Sequence, residues 1–501
     1  MKNWLALAGV LALLGGCAPG AMRGAPGQPS LDQLETAMAG HIRVLASDEY
    51  EGRRPGTEGE AKTLRYLARE WQAAGLESGT NDPAHPWFAP VDLSLSTPAS
   101  SKAEFRRGRK LVELPEGAVT VFTSGRRTLV EQAPLLYVGR HGTDLDQSEL
   151  AGRVAVMLWD NDDARERRVA LLENGAAAVL AIVADDAELA TILSQRRGGQ
   201  YLLSSEGSGE AMDGYMSLVT AQALLGEPLL ARLMSDEASK PEPLRVTARL
   251  EAISTLANVD THNLIARLPG KVPDAGAVVV MAHWDHFGEC GEASAADRLC
   301  NGAVDNASGL ALVTELAKLL GKGPQMDRDV YFVATTGEEW GLLGARAFTQ
   351  EPPIPLGTIV AAFNIDSIAV ARRGTPVSML GRGMTPLDPG IDVVIAQSGR
   401  KLVEAAEASN YVRRQDGWAL LQRDVPAVVV SSAFADTGQL ARFTRDRYHR
   451  AQDEAAAVEL GGAAEDLLLH LALVRHFASL ALWPAPAALE PVAPPIMEAG
   501  G

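Results

Sequence analysis

Residues 277–286 read AVVVMAHWDH, an apolar run that leads directly into His283, Asp285 and His286. A strand with one solvent-exposed face alternates apolar and polar residues, whereas a strand that is covered on both faces is apolar throughout. The continuous run therefore predicts a strand at 277–282 within a mostly parallel sheet. The polar side chains come directly after this strand, at the end where such sheets bind their ligands.

Apolar runs of the same kind recur toward the carboxyl terminus and alternate with helical segments. Strands are predicted at 330–334, 359–365 and 427–430, and helices at about 310–320, 393–408 and 463–482. This alternation predicts an α/β fold, a three-layer α/β/α sandwich with a central, mostly parallel mixed sheet. Metal-ligand side chains follow these strands, so we expect them to gather along one edge of the sheet.

The remaining segments differ in composition. Residues 31–76 predict two helices broken by the turn-rich stretch 51–57, and residues 80–250 carry short apolar strands. The predicted organisation is a signal peptide at 1–17, a flexible tether at 18–30, a catalytic domain at 31–125 and 251–483, a β-rich inserted domain at 126–250, and a disordered Pro-rich tail at 484–501.

Composition excludes several classes of protein. The chain has 501 residues, with 46 Lys and Arg against 63 Asp and Glu, which gives a net charge of −17. An acidic chain repels polyphosphate, so no nucleic-acid partner is expected. The hydrophobic fraction of 47% is ample for a packed core. Three cysteines can build neither a disulfide scaffold nor a four-thiolate zinc site.

The amino terminus has the layout of a secretory signal. Lys2 precedes a short apolar run at 5–14, which is too short to span a membrane. The sequence that ends at Cys17 resembles the lipobox of bacterial lipoproteins, in which the cysteine is lipidated. Together with Ala18, this resemblance implies anchoring at the outer membrane, facing the periplasm. An ordinary signal peptide, with a periplasmic or secreted product, is the alternative.

If Cys17 is lipidated, Cys290 and Cys300 remain as an even pair in an oxidising compartment. We therefore expect a disulfide between them. Two buried free thiols are the alternative.

The candidate ligands are histidines and carboxylates without thiolate, a set typical of catalytic rather than structural zinc. In two-metal hydrolases one carboxylate bridges ions roughly 3.5–4 Å apart. A further carboxylate must take a proton from water and pass it to the leaving amine. Glu338 and Glu339 suit these separate tasks because adjacent residues at a strand end point in different directions.

The motifs in order are His283-x-Asp285, Asn301-Gly302-x-x-Asp305-Asn306-x-Ser308-Gly309, Glu338-Glu339, Asn364-x-Asp366 and Tyr448-His449. Together they resemble the motif set of the co-catalytic zinc aminopeptidases, a superfamily that includes bacterial leucyl aminopeptidases and glutamate carboxypeptidase II. The resemblance covers about 31–76 and 256–480. It implies a zinc-dependent exopeptidase that removes N-terminal residues from peptide substrates.

The resemblance also implies two Zn²⁺ ions per chain and their ligands. His283 and Asp366 would bind one ion, Glu339 and His449 would bind the other, and Asp305 would bridge them.

Three further roles follow from the same resemblance. Glu338 would be the general base, and Asp285 would orient His283. Tyr448 would help to stabilise the tetrahedral intermediate. The peptide bond between Asp305 and Asn306 is often cis in this family.

The middle region resembles a protease-associated domain, through Tyr137-Val138-Gly139, the stretch 150–156 and the stretch 174–179. A plain β-rich insertion is the alternative. The resemblance implies a role in shielding the active site or shaping substrate access.

Several alternatives stay open. The same metals could serve a carboxypeptidase or dipeptidase, and the fold could belong to a non-catalytic receptor-like or a cyclase-like relative. The protein is expected to be a monomer or small oligomer. His286 is expected to line the cleft rather than bind metal, Trp340 and Trp418 to line a side-chain pocket or the core, and His470 and His476 to lie on a helix surface.

Overall fold

The computed structural model describes residues 29–484, apart from 143, 161–163, 207–208, 210, 236–239, 291–294 and 405–407. The predicted signal peptide with Cys17, almost all of the tether, and the tail after Pro484 lie outside the described residues.

The helices, in chain order, are α1 Leu31–Leu45, α2 Glu58–Ala73, α3 Gln147–Leu150, α4 Ala164–Glu173, α5 Asp186–Arg197, α6 Leu218–Leu225, α7 Glu227–Ser235, α8 Gly309–Gly321, α9 Leu343–Gln350, α10 Asp388–Gln397, α11 Gly417–Leu421, α12 Thr437–Asp446 and α13 Gly461–Phe477.

The strands are β1 Glu77–Ser78, β2 Phe88–Arg107, β3 Lys110–Val112, β4 Val119–Thr123, β5 Arg127–Gly139, β6 Val154–Trp159, β7 Ala178–Val183, β8 Gln200–Leu203, β9 Met212–Ser217, β10 Glu242–Leu268, β11 Ala277–His283, β12 Gly288–Glu289, β13 Leu299–Cys300, β14 Asp329–Thr335, β15 Ile359–Asn364, β16 Ser378–Leu380 and β17 Ala427–Ser431.

The carboxyl-terminal strands form one sheet in the order β16–β17–β15–β11–β14–β10, which we call the carboxyl-terminal sheet. Strands β17, β15, β11 and β14 pair in parallel, while β10 and β16 join as antiparallel neighbours. One face packs against α1, α8 and α13, and the other against α9 and α11. The predicted three-layer sandwich with a mostly parallel mixed sheet is confirmed.

The same long strand continues this sheet into a second group of strands. The first part of β10 pairs with β2 and β5, and the order continues as β5–β6–β7–β9–β4. Strands β5, β6, β7 and β9 are parallel, and their two faces carry separate apolar cores. We call residues 119–250 the middle unit. The β2–β10 ribbon joins it to the carboxyl-terminal sheet.

Helix α1 shows how local sequence sets these elements. Leu34, Met38, Ile42 and Leu45 recur at a spacing of three to four residues and are all buried. Ser30 closes the amino end with a capping box, because its hydroxyl accepts from the backbone of Gln33 while the Gln33 side chain accepts from its N–H. The amphipathic pattern predicted this helix correctly.

Two helix predictions were wrong in their bounds or exposure. The helix predicted at 393–408 runs from Asp388 to Gln397, because Gly399 adopts a positive φ of 67° just after its end. On α13, His470 and His476 are buried rather than exposed. His470 Nδ1 lies 2.9 Å from the carbonyl oxygen of Asp466, which gives this one ring nitrogen a partner within the helix.

Among the described residues, no helix combines the length and apolar character needed to cross a membrane.

Candidate active site

The predicted metal ligands lie at one edge of the carboxyl-terminal sheet. His283 is the last residue of β11, and Asp366 comes shortly after β15. Glu338 and Glu339 lie in the turn that follows β14. Since these strands are parallel neighbours, their carboxyl ends meet at the same place. His449 follows α12 and reaches this edge from a different layer.

Asp305 lies in the turn that opens α8, where several contacts hold it. The peptide bond between Asp305 and Asn306 is cis, as the resemblance implied. The Asp453 carboxylate accepts hydrogen bonds from the backbone N–H groups of Val304 and Asp305, at 3.1 and 3.0 Å. The Asn306 amide donates to the carbonyl of Ile365 at 2.9 Å, which ties this turn to the end of β15.

The Asp305 carboxylate is shared by two groups of side chains. Its Oδ1 lies 3.2 Å from Nε2 of His283, and its Oδ2 lies 3.4 Å from Nε2 of His449. The same nitrogen of His283 is 3.6 Å from Oδ1 of Asp366. The same nitrogen of His449 is 3.0 Å from Oε2 of Glu339. The structure therefore brings all the predicted ligands together, with Asp305 between two groups.

The donor set fits divalent cations. Nδ1 of His283 lies 3.2 Å from the carbonyl oxygen of Asp285, a contact that places the ring proton there and leaves Nε2 as a lone-pair donor. Among the described residues, the buried Nε2 atoms of His283 and His449 have no hydrogen-bond partner. Buried polar atoms are almost always satisfied, so these nitrogens, which face carboxylates, fit a metal. Imidazole with carboxylate and no thiolate suits catalytic zinc.

His286 contacts one of the candidate ligands directly. Its Nδ1 lies 2.5 Å from Oε1 of Glu339, and its side chain is fully buried. The ligand atoms of His286, Asp305 and Glu339 lie within 4.8 Å of one another, so this histidine is close enough to join a metal cluster. The two oxygens of Glu339 thus face different histidines, His286 on one side and His449 on the other.

Asp285 holds the turn that carries the two glutamates. Its carboxylate accepts hydrogen bonds from the backbone N–H groups of Glu338 and Glu339, at 3.2 and 3.5 Å. Its Oδ1 also lies 3.8 Å from Nδ1 of His283. Burial raises the pKa of Asp285 to about 7, although the nearby imidazole acts in the opposite direction. Asp285 therefore contacts both the end of β11 and the turn that follows β14.

The two adjacent glutamates have opposite electrostatic surroundings. Burial, with the charges of Glu339 and Asp366, holds the pKa of Glu338 well above its usual range, although His283 opposes this. Burial also acts to raise the pKa of Glu339, but His449 and His286 outweigh it and lower that pKa to about 2. Glu339 is therefore the ionised carboxylate of the pair, and Glu338 is the carboxyl group that favours a proton.

A cavity opens beside the metal-binding residues. Glu338, Asp366 and Tyr448 line its polar side. Its other wall is apolar and consists of Leu380, Val429, Phe434, Leu440 and Phe443. Trp340 and Trp418 do not line this cavity. Trp340 packs against Tyr201 and Phe287 instead, and Trp418 packs in the core beside the carboxyl-terminal sheet.

Arg414 lies in the same cavity and was not predicted. Its Nη2 is 3.4 Å from Oη of Tyr448, and its guanidinium carbon is 5.9 Å from the centre of that ring. Burial raises the pKa of the Tyr448 hydroxyl, while the positive charge of Arg414 opposes that rise. No sequence motif marked this arginine, because it comes from a short turn that precedes α11.

Arg53 was also missed as a functional residue. Its fully buried guanidinium donates to the carbonyls of Trp284, Asn301 and Gly302, at 2.8, 2.6 and 2.9 Å. It therefore holds the loop after β11 and the turn before α8 against each other. Burial lowers its pKa to about 10, with Asp285 the strongest opposing charge, so it stays a cation at neutral pH. A charged residue within the turn-rich stretch 51–57 was the available signal.

Cys290 and Cys300 form a disulfide, with their Cα atoms 5.8 Å apart, which confirms the predicted pairing. The bridge packs with Phe287, Trp340 and Ala451 behind the metal-binding residues.

Comparison with known proteins matches this region to a peptidase family. Residues 263–472 match the model of Peptidase family M28. A relative in Escherichia coli strain K12, the alkaline phosphatase isozyme conversion protein, is 39% identical over 92 residues. That alignment covers 18% of this chain and 26% of the relative, so the chain spans only about a quarter of that protein.

Solved structures share the fold over most of the chain. An aminopeptidase from Aneurinibacillus sp. strain AM-1 superposes with a TM-score of 0.55 and 17% identity, covering 93% of this chain and 99% of that one. A zinc aminopeptidase from Bacillus subtilis gives 0.52 and 16%, with coverage of 89% and 96%. The chain therefore combines a Peptidase family M28 match over residues 263–472 with a fold shared by two bacterial aminopeptidases.

Proposed function

We propose that this protein is a zinc-dependent exopeptidase that hydrolyses N-terminal residues from peptides. The observation that carries the proposal is the shared carboxylate of Asp305, which presents one oxygen to His283 and the other to His449. Two metal sites joined by one carboxylate are the arrangement of two-metal hydrolases. The Peptidase family M28 match supports the reaction class.

In this proposal two zinc ions are held by the residues already described. His283 and Asp366 would hold one, Glu339 and His449 would hold the other, and Asp305 would be shared between them. When bound, zinc supplies a Lewis acid that polarises a carbonyl group and lowers the pKa of a water molecule.

Side chains of the protein accept and donate the proton that is transferred in the reaction. Glu338 lines the cavity next to the ligands, and its raised pKa suits a base that must also release a proton. It takes the proton from the attacking water and delivers it to the leaving amine. The Tyr448 hydroxyl, on the same wall, donates a hydrogen bond to the oxygen of the scissile carbonyl as negative charge develops there.

The cavity supports removal of single terminal residues. Its apolar wall includes Phe434 and Phe443, and Asp305 and Glu338 line the same cavity. A terminal residue can bury an apolar side chain against this wall while its carbonyl carbon lies near the catalytic carboxylate.

The test is hydrolysis of aminoacyl-p-nitroanilides by the purified chain. We expect release of p-nitroaniline that a chelator abolishes and that added zinc restores. Glu338→Gln should lower kcat by about 100- to 10,000-fold while zinc content stays unchanged. Glu289→Gln, which changes an exposed acid on β12 that pairs with Arg298, is the matched control. Full activity of Glu338→Gln would show that the general base lies elsewhere.

Arg414 favours one alternative, a dipeptidase or carboxypeptidase on the same metals. Its guanidinium lines the cavity, and a fixed guanidinium binds a substrate carboxylate well. End-group analysis of one digested peptide separates the two functions, because loss of residues from the amino end supports the aminopeptidase and loss from the carboxyl end supports the alternative.

We also propose that lipidated Cys17 attaches the protein to the envelope, with the periplasm as the place of action. The support is the lipobox-like sequence ending at this residue. Wild-type protein should partition into detergent, whereas Cys17→Ser should remain aqueous.

A further inference from the structure

Arg54 connects the middle unit to the metal-binding loops. Its guanidinium donates Nε to Oη of Tyr201 at 3.1 Å, Nη1 to the carbonyl of Phe287 at 3.0 Å, and Nη2 to the carbonyl of Gly198 at 2.6 Å. Tyr201 and Gly198 belong to the middle unit, whereas Phe287 directly follows His286. One side chain therefore satisfies acceptors from both regions.

Aromatic contacts extend this connection to a metal ligand. The guanidinium carbon of Arg54 lies 5.1 and 5.4 Å from the ring centres of Tyr201 and Trp340, which are themselves 4.7 Å apart. Trp340 lies 5.3 Å from Phe287, and Phe287 lies 4.6 Å from the imidazole of His449. The middle unit thus reaches His449 through a continuous series of packed rings.

Two further contacts join the same regions. The side-chain amide of Gln200, at the start of β8, lies 3.5 Å from the carbonyl of Trp340. The Ser194 hydroxyl on α5 donates to the carbonyl of Cys290 at 3.1 Å. Trp340 and Cys290 lie on different loops, so the middle unit contacts the metal-binding edge at more than one point.

We propose that Arg54 is a positioning residue through which the middle unit sets the geometry of the zinc site at Glu339 and His449. The inference rests on the proposed zinc function and goes beyond it, because it makes the middle unit part of the metal-site scaffold. Phe287 packs on His449, and Trp340 adjoins Glu339, so movement of either ring moves a ligand. His283 and Asp366 are not among the residues that Arg54 contacts.

The chemistry of the guanidinium explains why arginine is required. Its planar fork directs separate N–H groups at three acceptors and stacks on aromatic faces, whereas a lysine ammonium presents one compact point charge. Arg54→Lys keeps the charge but loses the fork. We therefore expect the loops that carry Phe287 and Trp340 to be held less firmly. The zinc site at Glu339 and His449 should then bind its ion more weakly, while the fold is retained.

The test is zinc binding per chain, titrated with a competing chelator, for wild type, Arg54→Lys and Tyr201→Phe. Wild type should retain two tightly bound ions. Arg54→Lys should bind one of them at least about tenfold more weakly, keep the other, and lose about 10- to 100-fold in kcat. Tyr201→Phe, which removes only the hydroxyl, should show a smaller change in the same direction. Arg109→Lys, in the exposed turn between β2 and β3, is the control and should match wild type.

The outcomes separate this inference from the proposed function. If wild type binds no zinc, the proposed function itself is wrong. If wild type binds two ions and both variants bind them equally tightly, Arg54 does not position the site. Equal weakening of both ions would also overturn the inference, since it would indicate a general loss of structure. If Arg54→Lys does not fold, Tyr201→Phe alone decides by the same criterion.

Discussion

The carboxyl-terminal sheet and the middle unit are built alike but balance their buried charges differently. Each has parallel strands with apolar cores on both faces. In the middle unit the buried carboxylate of Asp213 meets Arg168 at 2.8 Å and Arg196 at 2.5 Å. At the metal-binding edge the buried acids Asp285, Asp305 and Glu339 crowd together, and Arg53 is the buried arginine among them.

Acid pKa values show this contrast for two of the acids at the candidate site, because histidines hold the pKa values of Asp305 and Glu339 below their usual range whereas those of Asp285 and Glu338 are raised. Burial acts to raise the pKa of Asp213, but Arg196 and Arg168 outweigh it and lower the pKa. At the other edge the pKa of Asp285 rises to about 7, and that of Glu338 rises well above its usual range. A buried excess of acid is unfavourable unless cations balance it. Charge balance, rather than fold, therefore distinguishes the candidate site from the scaffold.

The largest effect is expected when the shared carboxylate is neutralised. Asp305→Asn removes the negative charge that both groups of ligands share. Zinc content should fall below one ion per chain, and kcat/KM should fall on the order of a thousandfold. Elemental analysis and p-nitroanilide kinetics measure the two effects. Retention of two ions by this variant would contradict the bridging role.

The matching change in the middle unit should act on stability instead. Asp213→Asn leaves Arg168 and Arg196, whose side chains are only 18% and 15% exposed, without their counter-charge, which should reduce the free energy of unfolding by about 3 kcal/mol. Zinc content should stay at the wild-type level. Urea unfolding with elemental analysis checks both. A loss of zinc here would show that the two regions do not divide their roles between structure and metal binding.

The sequence predicted the sheet because its signals are local. The apolar runs at 277–282 and 330–334 lie within the observed β11 and β14, and the polar residues that follow them mark the site. The ligands could be listed because each lies at a strand end or in a recognisable motif. The convergence of His283, Glu339 and Asp366 follows from parallel neighbours, which the alternation of strands and helices already indicated, whereas His449 comes from the segment after α12.

Other features depend on contacts between distant segments. Asp453 holds the turn at Asp305 from 148 residues away, and no local pattern marks it. The burial of His470 depends on how α13 packs, which its own sequence does not specify. Arg54 reaches Tyr201 across 147 residues. Such residues are set by tertiary packing, so the sequence alone indicated the side chains that converge on Asp305 but not the residues that support them.

Removing the metal should make the free energy of unfolding depend on pH, because the buried acids then lack balancing cations. In metal-free protein the pKa of Asp285 is about 7 and that of Asp416 about 6, both above the ordinary value of 3.8. The folded state then holds protons that the unfolded state releases, so the contribution of these two groups to stability is fully present below about pH 4 and is lost as pH rises from there through 6 to 7. We expect these two groups together to lose about 5 kcal/mol of stability between pH 4.5 and 7.5 in a chelator. Urea unfolding measures it, and a metal-free protein that gained stability over this range would contradict the expected sign.

The smallest effect tests an exposed contact between the same regions. Arg413, next to the cavity residue Arg414, pairs with Glu166 on α4 of the middle unit at 2.8 Å, and its side chain is 53% exposed. Water screens such a pair, so Glu166→Gln should change the free energy of unfolding by less than about 1 kcal/mol and leave zinc affinity unchanged. Chelator titration and urea unfolding of this variant beside Arg54→Lys compare two contacts between the same regions. A larger effect at Glu166 than at Arg54 would mean that the exposed pair, and not the guanidinium fork behind Phe287, couples the middle unit to the metal site.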